Sequence, residues 1–397
     1  MCSKLMHYIS VCVSCVNMYI DSDEELQKLC AGLRKAKVIY FDTEFMRERS
    51  FYPKLCLIQV GYGKHQAAID PLAKLDLKPL LKILTSATKL LVFHSGRQDL
   101  EIIYNLTGKL PKNIFDTQLA AMVCGFGEQV SYMQLVEQIC GEKIDKSQRF
   151  TDWSKRPLLK KQIDYALADV VYLPKIHDSL AGALKTQKRG KWLNAEEEAL
   201  LDIKTYKENP KDAWTKIKHK GKKHADLGVL QALAEWREKE AIRKDKPRGF
   251  IIKNEILVEL AIQRPKTEKA IQNFRGLGNV SRETSAKILA VIQQGCDLPD
   301  SKKPKLKPRP TRKADSGVID MLKLLLKKTC EKEKIAPRLI ADSSDLEKFA
   351  LGEEAIFSKG WRYETFGKKA EQLLRGEIFF KISNGQLKIT RKKQAAK

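Results

Sequence analysis

Apolar positions in the first half of the chain come in short runs. Those at 37–42, 55–61, 65–70, 89–94 and 112–116 are rich in Val, Ile, Leu and Phe and are stopped by Gly, Pro or Asp, which predicts buried strands. Apolar residues recur at helical spacing over 22–35, 77–85, 97–106, 117–123, 131–140 and 158–183. The run Leu55–Val60, followed by Gly61-Tyr62-Gly63, predicts a hairpin edge rather than a strand–helix–strand unit. The expected result is an α/β domain with a mixed sheet flanked by helices, over residues 18–185. Beyond it strand signals almost vanish, and helical patterns run over 195–208, 226–244, 252–263, 266–272 and 281–294. A second, helical domain is therefore expected over 195–300. The stretch SKKPKLKPRPTRK (Ser301–Lys313) crowds prolines among lysines and arginines, so residues 301–314 are expected to be a linker. A nuclear-localisation address is the competing reading of that stretch. A third, smaller helical unit is expected over 315–390.

Length and composition narrow the class. A chain of 397 residues is too long for one ordinary core. No apolar run approaches the roughly 20 residues that span a bilayer, and the mildly apolar stretch Met6–Ile20 contains Asn17 and no A-x-A site, so it makes a poor signal peptide. The pattern begins cleanly at Met18, the expected natural start. The nine cysteines, odd in number and dispersed, do not resemble a disulfide framework. Their one close pair, Cys12-x-x-Cys15, lacks the second pair or His cluster that would complete a zinc site. A reducing cytoplasm is the expected compartment.

Charge changes the picture more. The net charge is +25, and Lys plus Arg against Asp plus Glu number 28 to 23 over residues 1–200 but 46 to 26 over 201–397. A near-neutral half joined to a strongly basic one points to a polyanionic partner, nucleic acid above all.

Candidate chemistry begins at VIYFDTEF (Val38–Phe45). Residues i and i+2 of a strand share a face, so Asp42 and Glu44 project together from the end of a buried strand. Adjacent carboxylates repel, which raises a pKa or calls for a cation, and hard oxygen donors suit magnesium or manganese. A pair of exposed strand-end acids is the alternative. In LLVFHSGRQDLEII, Asp99 falls in the first turn of a helix, where an acid is also welcome for its interaction with the helix dipole. Tyr165 and Asp169 lie four apart and share a helix face. Pro157 fits the first turn of that helix, which puts Tyr165 about two turns in.

Asp42-x-Glu44, Asp99 and Tyr165-x-x-x-Asp169, in that order, resemble the three exonuclease motifs of the tyrosine-containing branch of the DEDD superfamily. The longer strings DTEFMRERSFYPKLCLIQV (Asp42–Val60), HSGRQDLEI (His94–Ile102) and DWSKRPLLKKQIDYALADVVYL (Asp152–Leu173) closely resemble the bacterial ribonuclease D family. The resemblance runs from about residue 18 to the end of the chain. It implies an RNase H-like sheet with two divalent ions, Mg²⁺ or Mn²⁺, held by Asp42, Glu44, Asp99 and Asp169. In that scheme Asp42 bridges both ions, Glu44 and Asp169 complete the first, and Asp99 supports the second through water. Such a pair can stabilise both oxygens of an in-line displacement at phosphorus. Tyr165, with an unperturbed pKa of about 10, is a poor free base and is expected to orient the attacking water. The implied activity is 3′–5′ exoribonuclease action releasing nucleoside 5′-monophosphates, chiefly from precursor tRNA with 3′ extensions; the tRNA preference comes from the resemblance alone.

Around these motifs, Arg47 and Arg49 could meet a phosphate or simply be solvated. Phe51 and Tyr52 could stack on a terminal base, although burial under the sheet is the expectation. His94 is expected to satisfy a local hydrogen bond, and Gln98 could touch substrate.

In the helical half, LQALAEWREKEAIRKDKPRGFIIKNEILVELAIQRP (Leu230–Pro265) resembles the HRDC domain. Leu230, Leu233, Trp236 and Ala241 form the expected core stripe. Arg243, Lys244, Lys246, Arg248 and Lys253, with Lys239, are the expected nucleic-acid contacts, and Lys216–His224 could extend that surface. WRYETFGKKAEQLLRGEI (Trp361–Ile378) is similar to a second, more divergent HRDC-like domain, so two all-α units of that type are expected. The same chemistry on DNA and a non-catalytic RNA-binding scaffold are the competing readings. No obligatory protein partner is evident, so a monomer is expected.

Overall fold

The computed structural model describes residues 16–145, 147–218, 226–305 and 313–391. The Cys12–Cys15 pair, most of Lys216–His224 and the middle of the proline-rich linker lie outside those residues.

The first domain runs β1 (Val16–Ile20), α1 (Asp23–Lys35), β2 (Val38–Met46), β3 (Lys54–Tyr62), β4 (His65–Ile69), α2 (Lys78–Leu84), β5 (Leu90–Phe93), α3 (Arg97–Thr107), β6 (Asn113–Asp116), α4 (Thr117–Cys124), α5 (Tyr132–Leu135), α6 (Lys160–Val171), α7 (Leu173–Thr186) and α8 (Gly190–Leu200). Six strands make one mixed sheet in the order β1-β4-β3-β2-β5-β6. β2, β3 and β4 are antiparallel neighbours, whereas β1–β4, β2–β5 and β5–β6 are parallel. Helices cover both faces. α1, α2 and α3 close one core over Ile39, Phe41, Ile58 and Val60, and α4 and α7 close the other over Tyr40, Val92 and Phe115.

All five expected strands are present, and β1 is a sixth that the pattern did not reveal. The expected helix over 158–183 is two helices. α6 begins at Lys160, so Pro157 precedes it and Tyr165 sits little more than one turn in, not two. The chain breaks at Tyr172 because Pro174, in the first turn of α7, has no N–H to continue the α6 ladder. α8 also belongs to this domain. Leu193 joins the second core, and Leu200, Leu201 and Tyr206 pack on the first.

The second unit comprises α9 (Leu227–Lys244), α10 (Arg248–Ile251), α11 (Asn254–Gln263), α12 (Glu268–Gln272) and α13 (Arg282–Cys296), around a core that starts at Ala213. Leu230, Leu233 and Ala241 are fully buried and Trp236 is partly so. The third unit comprises α14 (Ser316–Glu333), α15 (Ser343–Ala350), α16 (Gly360–Arg362) and α17 (Lys368–Leu374), followed by strands β7 (Ile378–Ser383) and β8 (Gln386–Arg391). It is therefore not all-α. Ser383 pairs with Gln386 across a two-residue turn, Asn384-Gly385, both at positive φ (52° and 70°), the geometry that Asn-Gly adopts most readily.

Both helical units are fastened to the sheet domain. Asp245, at the end of α9, accepts the backbone N–H groups of Phe51 and Tyr52 at 2.9 and 3.1 Å. Trp361 lies parallel to Trp192 with ring centroids 4.5 Å apart, and the Arg362 guanidinium reaches Glu196 at 2.5 Å.

Candidate active site

β2 carries the first two acids. Its buried Ile39, Tyr40 and Phe41 anchor the strand, and Asp42 and Glu44 then project from one face. The pairing with β5 stops at Tyr40–Val92, so among the described residues no strand flanks Asp42, Thr43 or Glu44 on that side. Asp99 enters that space from α3. Thr43 Oγ1 donates to Asp99 Oδ1 at 2.5 Å, tying the middle of the Asp42-x-Glu44 pair to the third acid. The turn that delivers Asp99 is tight. Ser95 is left-handed (φ 64°), and a Cβ on Gly96 would stand 2.6 Å from the Phe93 side chain, so only glycine fits there. The Asp116 carboxylate holds the turn by accepting the N–H groups of Ser95 and Gly96 at 3.2 and 2.8 Å while capping α4. Glu197 of α8 in turn accepts the Asp116 N–H at 3.0 Å.

α6 supplies the remaining pair. Ala166, Leu167 and Val170 face the protein interior, which leaves Tyr165 and Asp169 on the face toward β2. Tyr165 packs on buried Trp153 at 6.0 Å. The segment before α6 is pinned by Arg156, which bonds Asp70 at 2.5 and 2.7 Å and the Cys56 carbonyl at 2.6 Å. Tyr132 donates to the Ala168 carbonyl at 3.0 Å and packs against His94, steadying the backbone beside Asp169.

The electrostatics show that the four acids share one poorly solvated space. Burial, then Asp99, Asp169 and Glu44, hold the Asp42 carboxyl well above the usual range. Burial, Asp169 and Asp99 push Glu44 up to about 8. Burial raises Asp99 to about 6 against the lowering pull of the Thr43 hydrogen bond. Burial and Asp99 raise Asp169 to about 7. Tyr165 is raised too, by burial and then by Asp169, Glu44 and Asp42, which favours the protonated phenol. Among the described residues no three acidic, Cys or His side chains form a ready-made metal cage. The fit to divalent ions rests instead on the donor set. Four hard oxygen donors penalise one another's ionisation in one pocket, and a dication removes that penalty.

All five expected site residues thus converge. Thr43, Asp116 and Glu197 were not foreseen as their supports. Arg47 is clamped bidentately by Glu101 of α3 at 2.7 and 2.9 Å. Arg49 is exposed. Phe51 and Tyr52 are not buried under the sheet. With Gln98 they line a cavity of about 440 Å³ between the sheet domain and the second unit. His94 accepts or donates a local bond, Nδ1 to Thr117 Oγ1 at 3.0 Å.

Of the basic residues expected to meet nucleic acid, Lys246 and Lys253 are exposed. Arg243 and Lys244 are exposed but paired with Glu240, and Lys239 with Glu235. Arg248 is committed elsewhere. It pairs with buried Glu238 and with Glu208 and lies 4.7 Å over the Phe51 ring, so it braces the two domains.

Replacing Thr43 with valine keeps the strand and removes the bond that lowers Asp99. We expect kcat to fall about tenfold, one hydrogen bond to a charged group, with the melting temperature within a few degrees of wild type. Unchanged kcat would show that Thr43 does not position Asp99.

Residues 17–185 match the 3′-5′ exonuclease family model, and residues 226–292 match the HRDC domain. Ribonuclease D of Bartonella henselae is 43% identical over 93% of this chain and 92% of its own, and that of Sphingobium indicum is 43% identical over 95% and 99%. The crystal structure of Escherichia coli RNase D, an exoribonuclease involved in structured RNA processing, covers 90% of this chain and 98% of its own with TM-score 0.78 and 30% identity. The catalytic core of Trypanosoma brucei RRP6, at TM-score 0.56 and 20% identity, shares the fold.

Proposed function

The chain belongs to the ribonuclease D family of 3′–5′ exoribonucleases, and from that footing we propose that it trims RNA 3′ ends, chiefly those of precursor tRNA, releasing nucleoside 5′-monophosphates with the help of two divalent ions. The observation that carries the reading is the convergence of Asp42, Glu44, Asp99 and Asp169, each with its carboxyl held above the ordinary range by burial and by its neighbours. Those four would hold the ions, Mg²⁺ or Mn²⁺, which when bound would stabilise the attacking and leaving oxygens and acidify a bound water. Tyr165 keeps its proton and orients that water. Thr43 and Asp116 fix Asp99, and the rigid apolar half of β2 fixes Asp42 and Glu44. Lys246 and Lys253 are proposed to meet RNA phosphates, giving affinity without sequence choice.

The preference for structured RNA is supported by the activity stated for the E. coli relative. The third unit, helical apart from its closing hairpin, is proposed as a second, divergent HRDC-like domain. A cytoplasmic monomer is proposed as well; the six described cysteines are free, which suits a reducing compartment, and no helix among the described residues is long and apolar enough to cross a membrane.

The test is to incubate the full chain with labelled 3′-extended tRNA and with a matching DNA oligonucleotide, with Mg²⁺, with Mn²⁺ and with chelator. Stepwise shortening of the RNA that stops with chelator is expected. Metal-independent degradation or internal cuts would overturn the reading, and stepwise loss of DNA alone would move the substrate to DNA.

The same carboxylates give the metal-free protein a defined pH response. Their folded-state pKa values are raised, so the stability they contribute is present below the ordinary carboxylate range and is lost as pH climbs through about 6 to 8. The melting temperature of the chelated protein should drop by several degrees between pH 5 and pH 8. Adding Mg²⁺ should restore it at pH 8 and do little at pH 5. A melting temperature that rises over this range without metal would contradict the picture.

A further inference from the structure

The closing hairpin creates a feature that the exonuclease chemistry does not use. Between α14, α17 and β8 lies a cavity of about 540 Å³, lined by Lys328, Lys332, Lys369, Lys388 and Arg391 together with Thr329. Among the described residues no carboxylate lines it. Lys328 is tied to Glu331 at 2.8 Å and Lys369 donates to the Thr365 carbonyl at 3.2 Å, while Lys332, Lys388 and Arg391 are exposed. A further observation points to a polar or anionic ligand in this cavity. The Thr329 hydroxyl is buried, at 2% residue exposure, and has no hydrogen-bond partner, a costly state for a polar group.

We propose that this basic cleft of the third unit holds the sugar–phosphate backbone of the RNA substrate, at a site separate from the one that cuts its 3′ end. The inference rests on the exoribonuclease reading for the identity of the polyanion. Cations without partner acids suit evenly spaced phosphates, and a free-standing concave wall between a helix and a hairpin suits a strand or a duplex edge better than a small ion. Exposed Ile389, which lines the cleft, offers apolar contact to sugars or unpaired bases. Contacts of this kind carry no sequence information, so the cleft would add grip on the body of a structured RNA and leave chemistry at the tail alone.

The test compares wild type with Lys332→Gln/Lys388→Gln, using a labelled hairpin RNA with a 3′ tail for binding in chelator, and a short single-stranded RNA for cleavage in Mg²⁺. The double variant is expected to bind the hairpin RNA about tenfold more weakly at low salt, and the slope of log K against log salt should shrink by about 2. Its rate on the short RNA should match wild type. Lys332→Arg/Lys388→Arg should restore binding, and Lys332→Gln alone should lose about one unit of slope. An unchanged affinity and slope, with short-RNA cleavage intact, would overturn the proposal and leave the cleft to an acidic protein partner. A wild-type protein that fails to cut the short RNA would sink the exoribonuclease reading instead, and the binding comparison would still decide the cleft.

Discussion

Asp99→Ala is expected to lower kcat on a single-stranded RNA 3′ end by at least about a thousandfold, the equivalent of ~4 kcal/mol of barrier. Asp99 is the acid to which Asp42, Glu44 and Asp169 all respond, and it sits 5% exposed in the first turn of α3 with Thr43 as its hydrogen-bond donor. Its loss would remove one of the four carboxylates proposed to hold the ions and leave the other three with less drive to bind a dication. Folding should not suffer. The substitution deletes a buried acid that is itself unfavourable when ionised, so the metal-free variant should melt no lower than wild type at pH 8. RNA binding, measured with chelator present, should be within about threefold of wild type because this acid makes no phosphate contact without metal. A variant that keeps more than a tenth of the activity would remove Asp99 from the reaction.

Arg156→Ala is expected to cost about 3–5 kcal/mol in urea unfolding of the full chain at neutral pH. Asp70 is 4% exposed and accepts from both Arg156 and Tyr19. Burial pulls its carboxyl upward, yet those hydrogen bonds hold it below the ordinary value. Removing Arg156 strands that charge and also frees the Cys56 carbonyl on β3, just beyond the end of its pairing with β4. Since the folded pKa of Asp70 is depressed, the contribution is present at neutral pH and is lost as pH falls through the carboxylate range. Arg156→Lys should recover less than half, because an ammonium cannot meet two carboxylate oxygens and a carbonyl in one plane. A loss below about 1 kcal/mol would mean that water takes over the arginine's role. The same variant should slow catalysis, since Arg156 anchors the segment that leads into α6 and Tyr165.

The acids of β2 were legible because period two is a local property, readable from eight residues. Asp99 was not legible alone: a helix-start acid looks the same whether it serves a dipole or an active site, and only the ordered set of motifs separated the two. Thr43, Asp116 and Glu197 were hidden for a different reason. Their partners lie 56, 20 and 81 residues away, so nothing in their neighbourhoods marks them. Arg248 read as part of a basic surface for the converse reason, since the glutamates that neutralise it lie 10 and 40 residues upstream. The α6–α7 break and the terminal hairpin carried local signals, Pro174 and Asn384-Gly385, which the stronger helical periodicity around them masked. β1 offers no such signal. It is a short strand whose only partner among the described residues is β4, set in parallel, and that pairing is long-range.

The parallel indoles of Trp192 and Trp361 have an optical consequence. Two indoles 4.5 Å apart and tilted by only 13° couple their transition dipoles, and Arg189 and Arg362 cap the pair at 4.7 and 4.8 Å. One ring belongs to α8 of the sheet domain and the other to the third unit, so any electronic coupling between them exists only while the two are docked. The chain thus carries its own chromophore for following how the hairpin-bearing unit engages the catalytic domain, with no label attached.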